Sequence, residues 1–205
     1  ADVDPERIVI PASLQALLMA RIDRLEEETR RTFQLASVIG RTFYYRVLER
    51  VSGTQTDLDR HLRTLQRADL IREAARQPEL EYIFRHALTH ETAYNSILIK
   101  RRREFHRRVG EALETLMADR LEANAGLLGH HFYLAGDERA LKYYLLAGEV
   151  AYRLYATTEA VAHYTRALEI ARRAGQADRA TLQQLYARRG RALELNAHYR
   201  EALDN

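Results

Sequence analysis

The residue of this sequence best placed to do chemistry is His86, which stands where a strand-like pattern ends and a helical pattern begins. Apolar residues alternate at positions 80, 82 and 84, as in a half-buried strand. From Ala87 onward the apolar positions recur with a helical period. A side chain on the first turn of a helix meets unbonded backbone N–H groups and the positive end of the helix dipole. The pattern therefore predicts that His86 can meet an anion such as a phosphate.

Two other interpretations of His86 stay open. In the first, the imidazole bonds a neighbouring carbonyl or carboxylate at the start of its helix. In the second, it shares a metal ion with His90, four residues on, beside Glu91. This order is not that of the zinc-protease motif, and the further histidines without an assigned role are His106, His130 and His131. We predict no metal site and no catalytic residue, because no nucleophile, base and orienting group can be placed together.

The strongest basic cluster bears on nucleic-acid binding. It consists of residues 100–103 with Arg107 and Arg108. Such clusters bind phosphates, and winged helices often bind DNA. The predicted fourth helix, which would enter a DNA groove, mixes acidic with basic residues: Asp57, Asp59 and Asp69 with Arg60, Arg63 and Arg67. Phosphate does not favour such a face, so we interpret the cluster as the solvated start of a helix and expect no nucleic-acid partner.

The composition is that of an α-rich protein. Of the 205 residues, 30% are charged, with only three prolines and nine glycines. Lys and Arg total 32 against 29 Asp and Glu, and this net charge of +3 does not by itself imply a nucleic-acid partner. The lack of cysteine excludes disulfides and thiolate metal sites. We expect a cytoplasmic protein with no membrane partner and, because it begins with Ala1 rather than Met, a piece of a longer polypeptide.

The first part of the chain has the pattern of four short helices followed by a hairpin. Apolar stripes and capping signals predict helices over residues 13–25, 27–40, 47–51 and 57–65. Two strand-like runs, residues 70–73 and 80–84, flank the turn signal Gln77-Pro78. This order predicts a winged-helix domain over residues 1–98, with the hairpin as its wing.

The second part, residues 99–205, is predicted to be a helical arm. A long helix begins near residue 100, and four more follow as antiparallel hairpins, over residues 121–135, 138–155, 158–174 and 178–196. A further helix begins at residue 199. The fold class predicted for the whole chain is therefore mainly α, with a single small β-hairpin.

An internal repeat is present in the arm. Its first copy alternates small residues, where two helices approach, with aromatic residues that fill the gap between helical pairs, at Tyr144, Ala147, Gly148, Ala151, Ala160, Tyr164 and Ala167. Its second copy repeats four of these positions 42 residues later, at Tyr186, Gly190, Leu193 and Ala202. These are the spacings of tetratricopeptide consensus positions, although 42 exceeds the usual repeat of about 34 residues. We therefore predict a tetratricopeptide-like α-solenoid of longer helices.

This order of motifs resembles the region that follows the nucleotide-binding module in STAND ATPases, the signal-transduction ATPases with numerous domains. The segments that support the resemblance are residues 10–14, 20–25, 36–43, 84–88, 93–94, 130–132 and 135–137. They span essentially the whole chain. Bacterial members of this class are often fused to nucleotide cyclases, protein kinases or LuxR-type DNA-binding domains. The sequence itself contains no Gly-rich phosphate loop with Lys-Ser/Thr.

The resemblance gives His86 a role. In related plant resistance and apoptosome ATPases, a Met-His-Asp motif follows the wing, and its histidine contacts the β-phosphate of ADP. Arg85, His86 and Ala87 are similar to that motif, with Ala87 in place of the acid. The resemblance thus implies that His86, with Arg85, senses nucleotide. ATP or ADP would be held by an upstream ATPase module, and this fragment would hold no cofactor itself.

The expected function follows from these patterns. The chain is predicted to be a non-catalytic regulatory and interaction fragment of a STAND-type signalling ATPase. Its winged helix would sense the nucleotide state of the upstream module, and its helical arm would bind a protein or peptide ligand. Two alternatives are a DNA-binding winged-helix transcription regulator with a helical sensor or dimerisation domain, and a tetratricopeptide adaptor whose winged helix is a scaffold.

Overall fold

The protein is mainly helical, with one small antiparallel sheet. The computed structural model describes residues 12–53, 57–174 and 179–204, with side chains over 15–53, 57–173 and 179–196. The chain divides into two compact units, the first ending at Arg102 and the second beginning at Arg103. Among the helices of the described residues, none has the length and apolar character needed to cross a bilayer.

The first unit alternates helices with short strands. Its elements are α1 (Ala12–Asp23), α2 (Glu27–Ile39), β1 (Thr42–Tyr44), α3 (Tyr45–Ser52), α4 (Leu58–Arg67), β2 (Ile71–Ala75), β3 (Glu81–Phe84) and α5 (Ala87–Asn95), and α6 (Ile99–Leu116) begins within it. The first part of the motif at residues 10–14 and the residue before Asp57 lie outside the described residues. Gly53, with φ 77°, ends α3 as predicted, because glycine adopts this left-handed conformation without strain.

The sheet has the order β1-β3-β2, and both pairings are antiparallel. The two predicted strands are present as β2 and β3, and a bulge between Glu73 and Ala75 shifts their register. The third strand, β1, was not predicted from sequence. It has only three residues, of which only Phe43 is buried, so no alternating pattern marks it. Phe43 pairs with Tyr82 of β3, and their rings stack with centroids 5.8 Å apart.

The core of the first unit forms around Phe84, the last residue of β3. Its ring lies 5.1 Å from the ring of Phe33 on α2 and 5.9 Å from that of Phe43. All three side chains are fully buried. Aliphatic residues from α3, α4 and the neighbouring strand complete the core: Leu48, Leu62, Leu65, Leu70 and Ile71. The alternating pattern that predicted a strand at residues 80–84 therefore also identified its buried face.

The second unit is a row of antiparallel helices, in which each helix packs on the next. After α6 come a short 3-10 helix (Ala118–Arg120), α7 (Ala125–Ala135), α8 (Arg139–Arg153), α9 (Thr157–Ala174) and α10 (Arg179–Asp204). Gly136, with φ 74°, ends α7 as predicted. The helix predicted from residue 121 begins at Ala125 instead, because residues 121–124 form turns that follow the 3-10 helix.

Small-to-aromatic contacts set the helix spacing in this unit. A Cβ added to Gly148 on α8 would lie 2.5 Å from the Tyr164 ring on α9, and one added to Gly129 on α7 would lie 3.1 Å from the Tyr144 ring on α8. The alanines of the first predicted repeat copy are buried as well: Ala147, Ala151, Ala160 and Ala167. The glycines therefore leave room for tyrosine rings between closely packed helices.

The structure differs from the second predicted repeat copy. Tyr186 and Leu193 are exposed, and no neighbouring atom lies within 4 Å of a Cβ added to Gly190. Among the described side chains of α10, residues 179–196, the buried ones are instead Leu185 and Ala192. Ala202 lies within the same continuous helix, and its side chain is outside those described.

A turn present in the first copy is missing from the second. The chain turns between α8 and α9 at Tyr155, which has a left-handed φ of 58°. Ala197 stands 42 residues later and belongs to α10, which runs on through residue 199, where a new helix was predicted. Alanine has the highest helix propensity, so nothing at this position interrupts the helix.

Two buried histidines meet in the core of the second unit. The Nδ1 atoms of His106 and His131 lie 3.0 Å apart, and both side chains are about 2% exposed. One Nδ1 must donate and the other accept, which requires a neutral ring on the accepting side. Burial, reinforced by His106 and His130, lowers the pKa of His131 to about 3. The His131 imidazole is therefore neutral at neutral pH, and its contact with His106 has a structural role.

We expect Gly148→Ala to lower the free energy of unfolding by about 1–2 kcal/mol, because its methyl group overpacks the buried Tyr164 ring. Gly190→Ala is the matched control on α10. It gains helix propensity with no clash and should stabilise by up to about 1 kcal/mol. Urea unfolding followed by circular dichroism measures both, and equal effects would contradict this account of the packing.

The stability of the protein should also fall with pH below about 6.5, the ordinary pKa of histidine. His131 binds a proton near pH 6.5 in the unfolded chain but only near pH 3 in the folded chain. Its contribution to the free energy of unfolding is therefore fully present above pH 6.5 and is lost as the pH falls towards 3. The contribution to the slope approaches about 1.4 kcal/mol per pH unit. His131→Gln should flatten the pH dependence of urea unfolding, while the exposed control His86→Gln should not. An unchanged slope in His131→Gln would show that this residue is not the cause.

Candidate functional site

His86 is the N-cap residue of α5. Its backbone is extended, with φ −134° and ψ 150°, and its carbonyl accepts the N–H groups of Thr89 and His90 at 3.1 and 3.3 Å. Its side chain is exposed and makes no capping hydrogen bond to the helix. The imidazole thus lies at the positive end of α5, where the N–H groups of the first turn need acceptors. This geometry suits an anion that approaches from solvent.

Arg85 stands beside His86 but is oriented by the turn before β2. Its backbone N–H donates to the carbonyl of Leu70 at 3.0 Å, and its guanidinium lies 3.4 Å from the Asp69 carboxylate. Both side chains of this ion pair are largely exposed, so the pair contributes little to stability. Arg85 can therefore exchange Asp69 for another anion at low cost.

His90 has a structural role. Its Nε2 lies 2.9 Å from the backbone carbonyl of Ser37, to which it donates, and its ring packs edge-on against Phe84 with centroids 5.0 Å apart. His86 precedes the helix, so the two histidines do not share a helical face. Over the described part of the chain, no group of three or more His, Cys, Asp or Glu side chains is placed to hold a metal ion.

The face of α4 is as mixed in charge as its sequence indicated. Arg60 pairs with Glu26 at 2.7 Å, and Asp59 accepts a hydrogen bond from the Tyr45 hydroxyl at 3.1 Å. In the basic cluster, Arg102 donates to the carbonyl of Ile97. Its guanidinium also lies 4.3 Å from the centre of the Tyr94 ring. Arg60 and Arg102 are therefore both engaged in contacts within the unit, and an acidic residue lies beside Arg60 on α4.

The second unit contains a groove that the sequence did not reveal. Its volume is about 630 Å³, and it lies between α8, α9 and α10. The floor consists of apolar side chains that are only partly buried, Leu141, Leu145, Leu146 and Ile170. Leu141 and Leu145 stand seven and three residues before Gly148, so they lie at the edge of the buried side of α8. Leu145 also packs against the buried cluster that contains Tyr164. They could have been found from the spacing 141, 145, 148, which widens the apolar stripe of this helix.

Charged residues border this groove. Glu138 and Lys142 line it at the start of α8, and an ion pair between Glu149 and Arg188 joins α8 to α10. An apolar floor with a few charged groups at its edges is the usual pattern of a ligand or peptide groove. The groove is within the volume range of about 300–1,000 Å³ that binding pockets occupy.

Comparison with known proteins identifies no relative of this chain. No protein-family model, no curated protein and no solved structure matches the chain. The function is therefore inferred from the geometry of His86 and of the groove.

Proposed function

We propose that this chain is a non-catalytic regulatory and interaction fragment of a STAND-type signalling ATPase. Its first unit would be a winged helix that senses the nucleotide state of an upstream ATPase module. Its second unit would be a tetratricopeptide-like arm that binds a protein or peptide ligand. The observation that carries the proposal is the groove of the second unit, with four partly exposed apolar side chains on its floor.

The first unit supports a winged helix by the order of its elements. A helix, a short strand, two helices and a hairpin follow one another as α2, β1, α3, α4 and β2–β3, and the first strand joins the hairpin at β3. His86 follows β3 directly and is exposed. An exposed imidazole at a helix start is suited to contact a phosphate held by another module.

The second unit supports a repeat arm by the way its helices pack. Consecutive antiparallel helices contact one another through small residues and tyrosine rings, as Gly129 meets Tyr144 and Gly148 meets Tyr164. In such arrays each helical pair contacts its neighbours only, and the surface formed by successive pairs binds partners.

The mechanism we propose has two states. Contacts of His86 with the β-phosphate favour a closed form that retains ADP, and a ligand in the groove favours an open form. Each ligand shifts the equilibrium only by the difference between its affinities for the two states. The mixed charge of the α4 face makes DNA binding the weaker candidate.

The role of His86 is tested in the polypeptide that carries the ATPase module together with this chain. We expect His86→Ala to lower ADP retention and raise basal signalling output, because the closed form loses a phosphate contact. The exposed Glu91→Gln serves as a control on the same helix. Bound nucleotide is measured by chromatography after denaturation, and ADP retention equal to that of the unsubstituted polypeptide would contradict the proposal.

The groove is tested by selecting random peptides of about 12–16 residues, a length suited to an apolar groove of this kind, on the immobilised protein. We expect enriched peptides to lose binding on Leu145→Glu, which places a charge on the groove floor. Leu127→Glu is the matched control, because Leu127 is an exposed leucine of α7 that does not line the groove.

Peptides that bind Leu145→Glu as tightly as the unsubstituted protein would argue against this groove as the partner site. In parallel, specific submicromolar binding of duplex DNA at moderate salt would favour the transcription-regulator alternative. Retention of both the selected peptides and normal ADP control in a His86→Ala polypeptide would favour the adaptor alternative.

A further inference from the structure

Two arginines of α9 converge on one tyrosine of α7, and none of these three residues lines the groove. Nη1 of Arg166 lies 3.4 Å from the Tyr133 hydroxyl oxygen, and Nη1 of Arg173 lies 3.3 Å from the same atom. The Arg166 guanidinium also lies 5.0 Å from the centre of the Tyr133 ring. Two charged donors therefore share one neutral acceptor at long distance.

The ring of Tyr133 packs against a buried ring of α8. It meets the buried Tyr144 ring edge-on, with centroids 6.3 Å apart, and Tyr144 is itself packed against Gly129. Arg166 and Arg173 are seven residues apart, two helical turns, so they lie on the same side of α9. The convergence of the two guanidinium groups is thus set by rigid elements.

The charges around Tyr133 favour an anion. Glu169 pairs with Arg166 at 2.8 Å. Burial opposes the charged form of Arg166, but hydrogen bonds to Glu169 and Tyr133 outweigh it, so its pKa is raised and it stays protonated. Asp137 is occupied by Arg139, whose Nη2 lies 2.7 Å from the Asp137 carboxylate. Arg166, Arg173 and Glu169 together leave one positive charge next to the hydroxyl oxygen, and Glu138 in the adjoining cavity reduces it.

A cavity of about 370 Å³ opens beside these groups. Tyr133 and Arg173 line it together with Ile170, Ala140, Gly136 and two acidic residues, Asp137 and Glu138. Ile170 provides an apolar wall. Glu138 is exposed at the same cavity and disfavours a ligand with two negative charges.

We propose that Tyr133, Arg166 and Arg173 form a binding site for the carboxylate of a small monocarboxylic acid with a short apolar body. The carboxylate accepts from both guanidinium groups, and the apolar body contacts Ile170. A carboxylate is charged and can accept two parallel bonds from a guanidinium, which a neutral hydroxyl oxygen cannot, so the carboxylate displaces the Tyr133 oxygen as acceptor. The cavity shares Ile170 and Glu138 with the groove, but Tyr133, Arg166 and Arg173 do not line the groove, so their substitution tests this site separately.

The test is an NMR titration of the whole chain, labelled at tyrosine, with sodium butyrate at constant ionic strength. We expect saturable shifts of the Tyr133 ring resonances with a Kd of the order of 1–10 mM, as two charge-assisted bonds to exposed groups support. Butyramide, the neutral analogue, should produce no saturable shift at these concentrations. Arg173→Gln should raise the Kd for butyrate at least about tenfold.

Arg172→Gln is the matched control. Arg172 is the residue next to Arg173 on α9, and it donates to the hydroxyl of Tyr186 rather than to Tyr133. Its substitution removes the same charge as Arg173→Gln. It should leave the Kd for butyrate within about twofold, since Arg172 donates to Tyr186 and an exposed charge that does not contact the ligand is weakened by salt. Binding of butyramide as tight as that of butyrate, equal loss in Arg172→Gln and Arg173→Gln, or no saturation in the unsubstituted protein would overturn the proposal.

Discussion

The packing of Phe84 is the constraint on which the first unit depends. The side chain is fully buried at the end of β3 and contacts rings from α2, from β1 and from α5. Because a strand alternates its faces, burial of Phe84 turns Arg85 outward, and the chain then begins α5 after His86. One buried ring thus determines where the strand ends and why the following imidazole faces solvent. A slip of one residue would exchange the buried and exposed positions.

In the second unit the equivalent constraint is that one of two contacting helices must carry a small residue where the helices approach each other. Glycines and alanines at the crossings let tyrosine rings fill the space between helices, so the buried side of α8 is occupied by Tyr143, Tyr144, Ala147, Gly148 and Ala151. Leu141 and Leu145 stand seven and three residues before Gly148 and therefore lie at the edge of this buried side. The groove follows from the same packing, because the apolar stripe of α8 extends beyond the part that its neighbours cover.

Sequence alone predicted the strongly periodic elements. The hairpin strands, the helix start after His86 and the helix ends at Gly53 and Gly136 follow from alternation, helical period and glycine conformation. It missed β1, whose one buried residue makes no pattern, and the groove, whose lining residues come from three helices. It also placed a turn near residue 197, because residue spacing does not reveal which positions have a left-handed backbone, as Tyr155 has.

The histidines show why residue type alone could not define the site. His86, His90 and His131 are the same residue in three environments: exposed at a helix start, bonded to the Ser37 carbonyl, and buried against a second imidazole. A phosphate contact requires an imidazole that can reach solvent, and a buried one loses its charge by desolvation. Of these three, only His86 is exposed, and Arg85 beside it supplies a positive group. Burial, which is a property of the fold, therefore selects among residues that the sequence presents as equals.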